Sequence, residues 1–176
     1  MVEPSESLCA RQAQLIDLLT YKAWANSITF DAVAELSPDE VLRPRATRFG
    51  NILHTLNHIW VVEDIFRHHV AGRQRQYSAR NTDAPPPLSE LHARVQDMDR
   101  WWIAFARDVG PEALDKVVHF TFVGGGEGVM TRAEIMLHLV NHATYHRGFV
   151  GDMLYQAQAV PPATDLTVYL REARKP

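Results

Sequence analysis

Apolar residues recur at the spacing of one helix face in four stretches of the chain. From about Ser7 to Leu36 the positions are Leu15, Leu18, Leu19, Ile28, Val33 and Leu36, and Ser37-Pro38 supplies a stop. A second stripe, Ile52, Leu53, Leu56, Ile59, Val62, Ile65 and Phe66, ends near Gly72. A third starts near Ser89, runs through Leu91, Val95, Met98, Trp101, Trp102 and Phe105, and stops at Gly110-Pro111. The fourth carries Ile135, Leu139, Ala143, Val150, Met153 and Leu154 behind Thr131 and Glu134, which have the spacing of a capping box.

The connections differ in kind. Residues 73–87 are polar and finish in three prolines, a composition that cannot continue a helix and suits a long crossover. Val117 to Val123 is β-branched and aromatic, and Gly124-Gly125-Gly126 then turns the chain toward Val129-Met130, which predicts a short hairpin-like insert. The expected architecture is all-α: a four-helix bundle with a long crossover between helices 2 and 3 and a short insert before helix 4. With no internal repeat and no shift of composition, residues 1–176 read as a single domain.

A chain of 176 residues buries enough apolar surface to fold without staples, so a metal would serve function rather than folding. The formal net charge of -3 gives no general attraction to nucleic acid or to anionic lipid, and neither is an expected partner. Arg43, Arg45 and Arg48 are too few for a surface that tracks a phosphate backbone. The lone Cys9 excludes an internal disulfide and any multi-cysteine cluster. The acidic N-terminus has no leader pattern and nowhere do 18 apolar residues run together, so a cytoplasmic location without membrane contact is expected. Gly124 to Gly128 is followed by no Lys-Ser or Lys-Thr and contains Glu127, which favours a hairpin turn over a phosphate loop. Trp24, Trp60, Trp101 and Trp102 read as core or dimer packing.

Histidine placement carries the chemistry. His54 and His58 lie on the second helix, and His138, His142 and His146 on the fourth, always four residues apart. A four-residue step returns to within about 40° of the starting azimuth and about 6 Å further along the axis, so such pairs converge on one ion. Facing helices in a bundle build metal sites in this way, and three neutral imidazoles leave positions open on a divalent ion. Chance i, i+4 pairs and core-edge histidines are the competing explanation. His68, His69, His92 and His119 read as surface or structural.

Ile52-Leu53-His54-Thr55-Leu56-Asn57-His58-Ile59-Trp60 with Glu63-Asp64, and Asn141-His142-Ala143-Thr144-Tyr145-His146-Arg147-Gly148, resemble the second- and fourth-helix signatures of the DinB/YfiT-like proteins. Tyr21-Lys22-Ala23-Trp24-Ala25-Asn26 and Pro161-Pro162-Ala163-Thr164-Asp165-Leu166 are similar to further segments of that family, so the resemblance spans nearly the whole chain. Carried over position by position, it places the three metal ligands at His58, His142 and His146. His54 becomes a neighbouring or structural residue. His138 lies about 80° round the helix from His146, too far to share one ion comfortably. Phe149 departs from the family's usual Gln after His-Arg-Gly.

The resemblance implies a divalent transition metal, zinc or nickel ahead of iron or copper. It also implies a metal-dependent enzyme acting on a small molecule, with low-molecular-weight thiol S-transfer ahead of hydrolysis. The alternative is a non-catalytic metal- or ligand-binding bundle of a stress response. Ala143 stands where an H-E-x-x-H protease has its glutamate, so that chemistry drops out. Glu63, about 140° from His58, reads as a residue behind the ligands or on the outer edge of the bundle, and Thr144 and Tyr145 are off the ligand azimuth. No catalytic residue is assigned, and a homodimer is expected.

Overall fold

The computed structural model describes residues 4–73 and 77–174, with side chains described from Ser7 onward. Helix α1 (Pro4–Ala34) is followed by α2 (Pro38–Leu42), α3 (Ile52–Val70) and α4 (Leu88–Asp108). A 3-10 turn at Glu112–Asp115 leads into strands β1 (Val117–Thr121) and β2 (Glu127–Thr131), then α5 (Arg132–Gln156) and α6 (Leu166–Glu172). The four long helices form a ring in which α1 and α3 each pack against both α4 and α5. None of the described helices is long and apolar enough to cross a membrane.

Pure all-α is not the outcome. The insert before α5 is a two-stranded antiparallel sheet that pairs Val117 with Thr131 and Thr121 with Glu127. Its turn uses Gly125 and Gly126 at φ 89° and 88°, where a side chain would be strained, so the glycine run serves backbone geometry. Phe120 faces Gly128 across the ladder, and its ring lies where a side chain at position 128 would sit.

Two short helices also escaped the apolar pattern. Ser37-Pro38 ends α1 as expected but also starts α2: the Ser37 hydroxyl accepts from the Glu40 amide at 3.3 Å, and Asp39 and Glu40 occupy the first turn. Helix α6 folds the tail back onto α1, burying Tyr169 against Tyr21 and Trp24 with ring centroids 5.6 Å apart in both cases. Both helices are too short to show a helical period of their own.

Inside the ring, apolar residues form two clusters. One surrounds Leu19, Trp102 and Leu139; the other surrounds Phe30, Ile52, Leu91 and Leu154. Where one gives way to the other, the core turns polar. Lys22 is fully buried and donates to Glu63 Oε2 at 2.5 Å and to Asp99 Oδ1 at 2.6 Å. Asn26 donates to both Asp99 oxygens, at 3.3 and 3.1 Å, and accepts from Arg147 Nη1 at 2.9 Å. Two cations and two carboxylates thus balance across α1, α3, α4 and α5. Burial pushes the Glu63 carboxyl up to about 7 even with Lys22 against it. For Lys22, burial alone would lower the pKa, but Asp99 and Glu63 outweigh it and hold the amine above its ordinary 10.5.

Removing one partner of such a network strands a buried charge. Lys22→Met is expected to lower the unfolding free energy by about 3–5 kcal/mol in urea titration. Adding Glu63→Met to the same chain should recover part of that loss, because it removes one stranded carboxylate.

Candidate metal centre

Local signals start both helices that carry the candidate ligands. The Asn51 side chain accepts from the His54 amide at 2.8 Å and begins α3, which then carries His58 inward. Thr131 and Glu134 complete the capping box that begins α5, with the Glu134 amide 3.2 Å from the Thr131 hydroxyl and the Thr131 amide 2.7 Å from Glu134 Oε2. His142 and His146 follow one turn apart on the face that meets α3.

The three rings converge. Centroids lie 5.0 Å apart for His58 and His142, 4.6 Å for His58 and His146, and 4.4 Å for His142 and His146. One nitrogen from each ring falls in a set whose members are all within 4.8 Å of one another. The Nε2 atoms of His58 and His142 are 3.2 Å apart. Metal–imidazole bonds of about 2.0–2.1 Å in a tetrahedral site put ligand nitrogens about 3.3 Å apart, so this pair already has ligand spacing.

Burial keeps the rings neutral. Desolvation, with His146 and His58 adding to it, pushes His142 down to about 2, and desolvation with His58 and Arg48 pushes His146 down to about 4. His58 is lowered chiefly by desolvation as well. Neutral imidazoles are the form that binds a metal, so no proton must leave these three rings at neutral pH. His58 Nδ1 lies 2.6 Å from the Arg80 carbonyl. Donation of the Nδ1 hydrogen to that oxygen leaves the Nε2 lone pair facing the other two rings. His142 Nδ1 and His146 Nδ1 are buried and have no hydrogen-bond partner among the described residues. The donor set and its spacing fit a divalent transition ion.

A cavity of about 610 Å³ opens beside the cluster. Val62, Ile65 and Phe66 of α3 form one wall, and Phe120 and Phe122 of the hairpin form another. Phe49 stacks on the His58 ring at 4.2 Å and shields it. Arg48 and Arg80 line the cavity too, while none of the described lining residues is a carboxylate.

The five spacing candidates separate cleanly. His138 lines the cavity with its ring 5.5 Å from that of His142, but it stands outside the convergent set and packs on Phe66 at 5.0 Å. His54 turns away: its Nδ1 meets Asn51 Oδ1 at 3.0 Å, and it lines a different cavity. Glu63 is not on the outer edge of the bundle, because its azimuth points into the core, where Lys22 binds it. Phe149 is partly exposed, 5.1 Å from Tyr145 and 6.1 Å from His146 by ring centroids, and extends the aromatic rim. Phe49 and Arg80 were missed, since both sit in connections where no period marks them.

Fold and site together define a mostly helical protein with a buried three-histidine cluster that could hold a metal ion. The chain belongs to the DinB family, whose family model matches residues 9–175. It is similar to Protein DinB of Bacillus subtilis (strain 168), with 26% identity over 160 residues that cover 87% of this chain and 91% of that protein. The fold resembles the crystal structure of a DinB-like protein from Bacillus cereus ATCC 10987, with a TM-score of 0.64 and 15% identity. That match covers 82% of this chain and 91% of the other.

The depressed histidines carry a pH signature. Unfolded, each ring has its ordinary value of 6.5, whereas the folded values lie near 2 for His142 and 4 for His146. Between those limits the unfolded chain binds more protons, so stability falls as pH drops below about 6.5. The slope approaches about 1.4 kcal/mol per pH unit for each fully shielded ring and is smaller for a partly solvated one. Urea titrations of metal-free protein from pH 8 to pH 5 should show the fall, and His142→Gln should flatten it.

Proposed function

We propose that this protein is a metal-dependent enzyme in which His58, His142 and His146 hold a divalent ion, zinc or nickel ahead of iron or copper. On this reading it acts on a small molecule in the adjoining cavity, with transfer of a low-molecular-weight thiol ahead of hydrolysis. The observation that carries it is the convergence of three neutral imidazole nitrogens at the edge of that cavity. The chemistry such an ion supplies is Lewis acidity, which lowers the pKa of a bound thiol or water and polarises a bound oxygen.

The chain's own residues do the remaining work. The Arg80 carbonyl holds the tautomer and orientation of His58, Phe49 screens that ring from water, and the hairpin walls the cavity. The lack of a carboxylate among the described lining residues favours thiol transfer over hydrolysis. A thiol, with an ordinary pKa near 8.5, ionises beside a cation without a base, whereas attack by water generally uses one.

The same lack of a base supports the second reading, a non-catalytic metal- or ligand-binding bundle of a stress response. Isothermal titration should give one divalent ion per chain, and His146→Ala should abolish it. Normal binding by the His58→Ala, His142→Ala and His146→Ala variants would overturn the metal assignment. Turnover of a thiol conjugate by the metal-loaded protein, lost in the His58→Ala variant, separates the enzyme from the binding bundle.

A homodimer is also proposed. Its support is the exposed apolar side of α5, where Leu137, Tyr145 and Tyr155 are 46%, 62% and 66% accessible. Light scattering should report about twice the chain mass, and a monomer would remove the assignment.

A further inference from the structure

We propose that the cavity beside the histidine cluster takes an organic anion with an aromatic or branched apolar body, its charged end held by Arg48 and Arg80. The inference rests on the reading of that cavity as the substrate site and names the class of molecule it would take.

The body is set by the walls. One side presents Val62, Ile65 and Phe66, and the hairpin presents Phe120 and Phe122, so most of the enclosed surface is aliphatic or aromatic. A volume of about 610 Å³ suits a compact molecule larger than a bare inorganic ion.

The charge is set by the arginines. Arg48 and Arg80 both line the cavity, and neither has an ion-pair partner among the described residues. Neighbouring guanidiniums are treated differently: Arg43 and Arg45 are both held by Glu40, at 2.6 and 2.8 Å. Each of the two unpaired arginines is tied to the histidine cluster. The Arg80 backbone carbonyl is 2.6 Å from His58 Nδ1, and the Arg48 guanidinium lies 5.9 Å from the centre of the Phe49 ring that covers His58. With no carboxylate among the described lining residues to oppose them, they give the cavity a positive field over an apolar floor. A guanidinium binds a carboxylate or sulfonate through paired, charge-assisted hydrogen bonds, and a neutral amide of the same shape cannot replace them.

The experiment compares 4-phenylbutyrate with its neutral isostere 4-phenylbutyramide by isothermal titration, on metal-free protein and on protein titrated with zinc. The wild-type protein should bind the carboxylate at least about tenfold more tightly than the amide in both forms. The Arg48→Gln/Arg80→Gln double variant should lose that preference while still binding one zinc ion per chain. Both arginines are exposed, so the variant is expected to keep its fold, which circular dichroism checks. Equal binding of the two probes, or binding of neither, overturns the proposal. A preference that survives in the double variant also overturns it, because the anion would then be binding elsewhere, on the zinc itself if the preference needs zinc. Failure to bind zinc with the preference intact would defeat the metal reading alone and leave the anion pocket standing.

Discussion

The buried charge on Lys22 constrains everything else. An ammonium group out of water is tolerable only if its partners are close and well placed, and here they come from two other helices, Glu63 on α3 and Asp99 on α4. Asn26 passes the constraint on to Arg147 of α5. A slip of one residue in any of the four long helices would strand a charge in the core. The three clustered histidines occupy two of the four helices that this network locks: Glu63 lies five residues beyond His58, and Arg147 is next to His146. The register that satisfies Lys22 is therefore also the register in which His58 meets His142 and His146. Arg147, which follows the second histidine in the His-Arg-Gly run, has its place in the core rather than in the cavity.

Packing alone would leave the site poorly defined, because rings on two helices can rotate. The crossover supplies the missing hold. It lies along α3, with Tyr77 donating to Asp64 at 2.8 Å, Asn57 donating to Thr82 at 2.9 Å and Asn81 donating to the His54 carbonyl at 2.9 Å. Those contacts place the Arg80 carbonyl against His58. A stretch whose composition reads as a spacer is thus the element that fixes one ring's tautomer and brings a cation to the cavity. The hairpin does comparable work on the opposite wall. Because residue 128 is glycine, the Phe120 ring can lie across the strand and pack against both His69 and Phe66.

What the sequence made legible follows from which forces leave periodic traces. The four long helices, their order, the capping box at Thr131 and the hairpin were readable because amphipathic burial and turn chemistry repeat at known spacings. Spacing also exposed five candidate histidines, but choosing His58, His142 and His146 among them needed family resemblance, since helical azimuth is silent on how two helices are rotated against each other. For Glu63 the outer-edge alternative fails for the same reason: an azimuth 140° from His58 points to a third helix in a ring of four, not to water. Phe49 and Arg80 left no trace because they sit in aperiodic segments whose path is set by tertiary hydrogen bonds. The all-α class was too narrow only in its label, since the β-branched run beside three glycines that predicts the hairpin-like insert forms a paired two-stranded sheet.

The placement of carboxylates bears on the proposed chemistry. Glu63, within a turn and a half of His58, is engaged by Lys22 and buried in the core, away from the cavity. Asp64 is held by Tyr77 and Arg67. The acids nearest the ligand helix are thus committed to structure, and the described surface facing the histidines is aromatic, aliphatic and cationic. A site of that kind is poor at taking a proton from water but well suited to stabilising an anion that forms readily, such as a thiolate, and to drawing in an anionic partner. An enzyme built this way would activate its nucleophile through the metal and its substrate through the arginines, a division of labour that requires no general base from the protein.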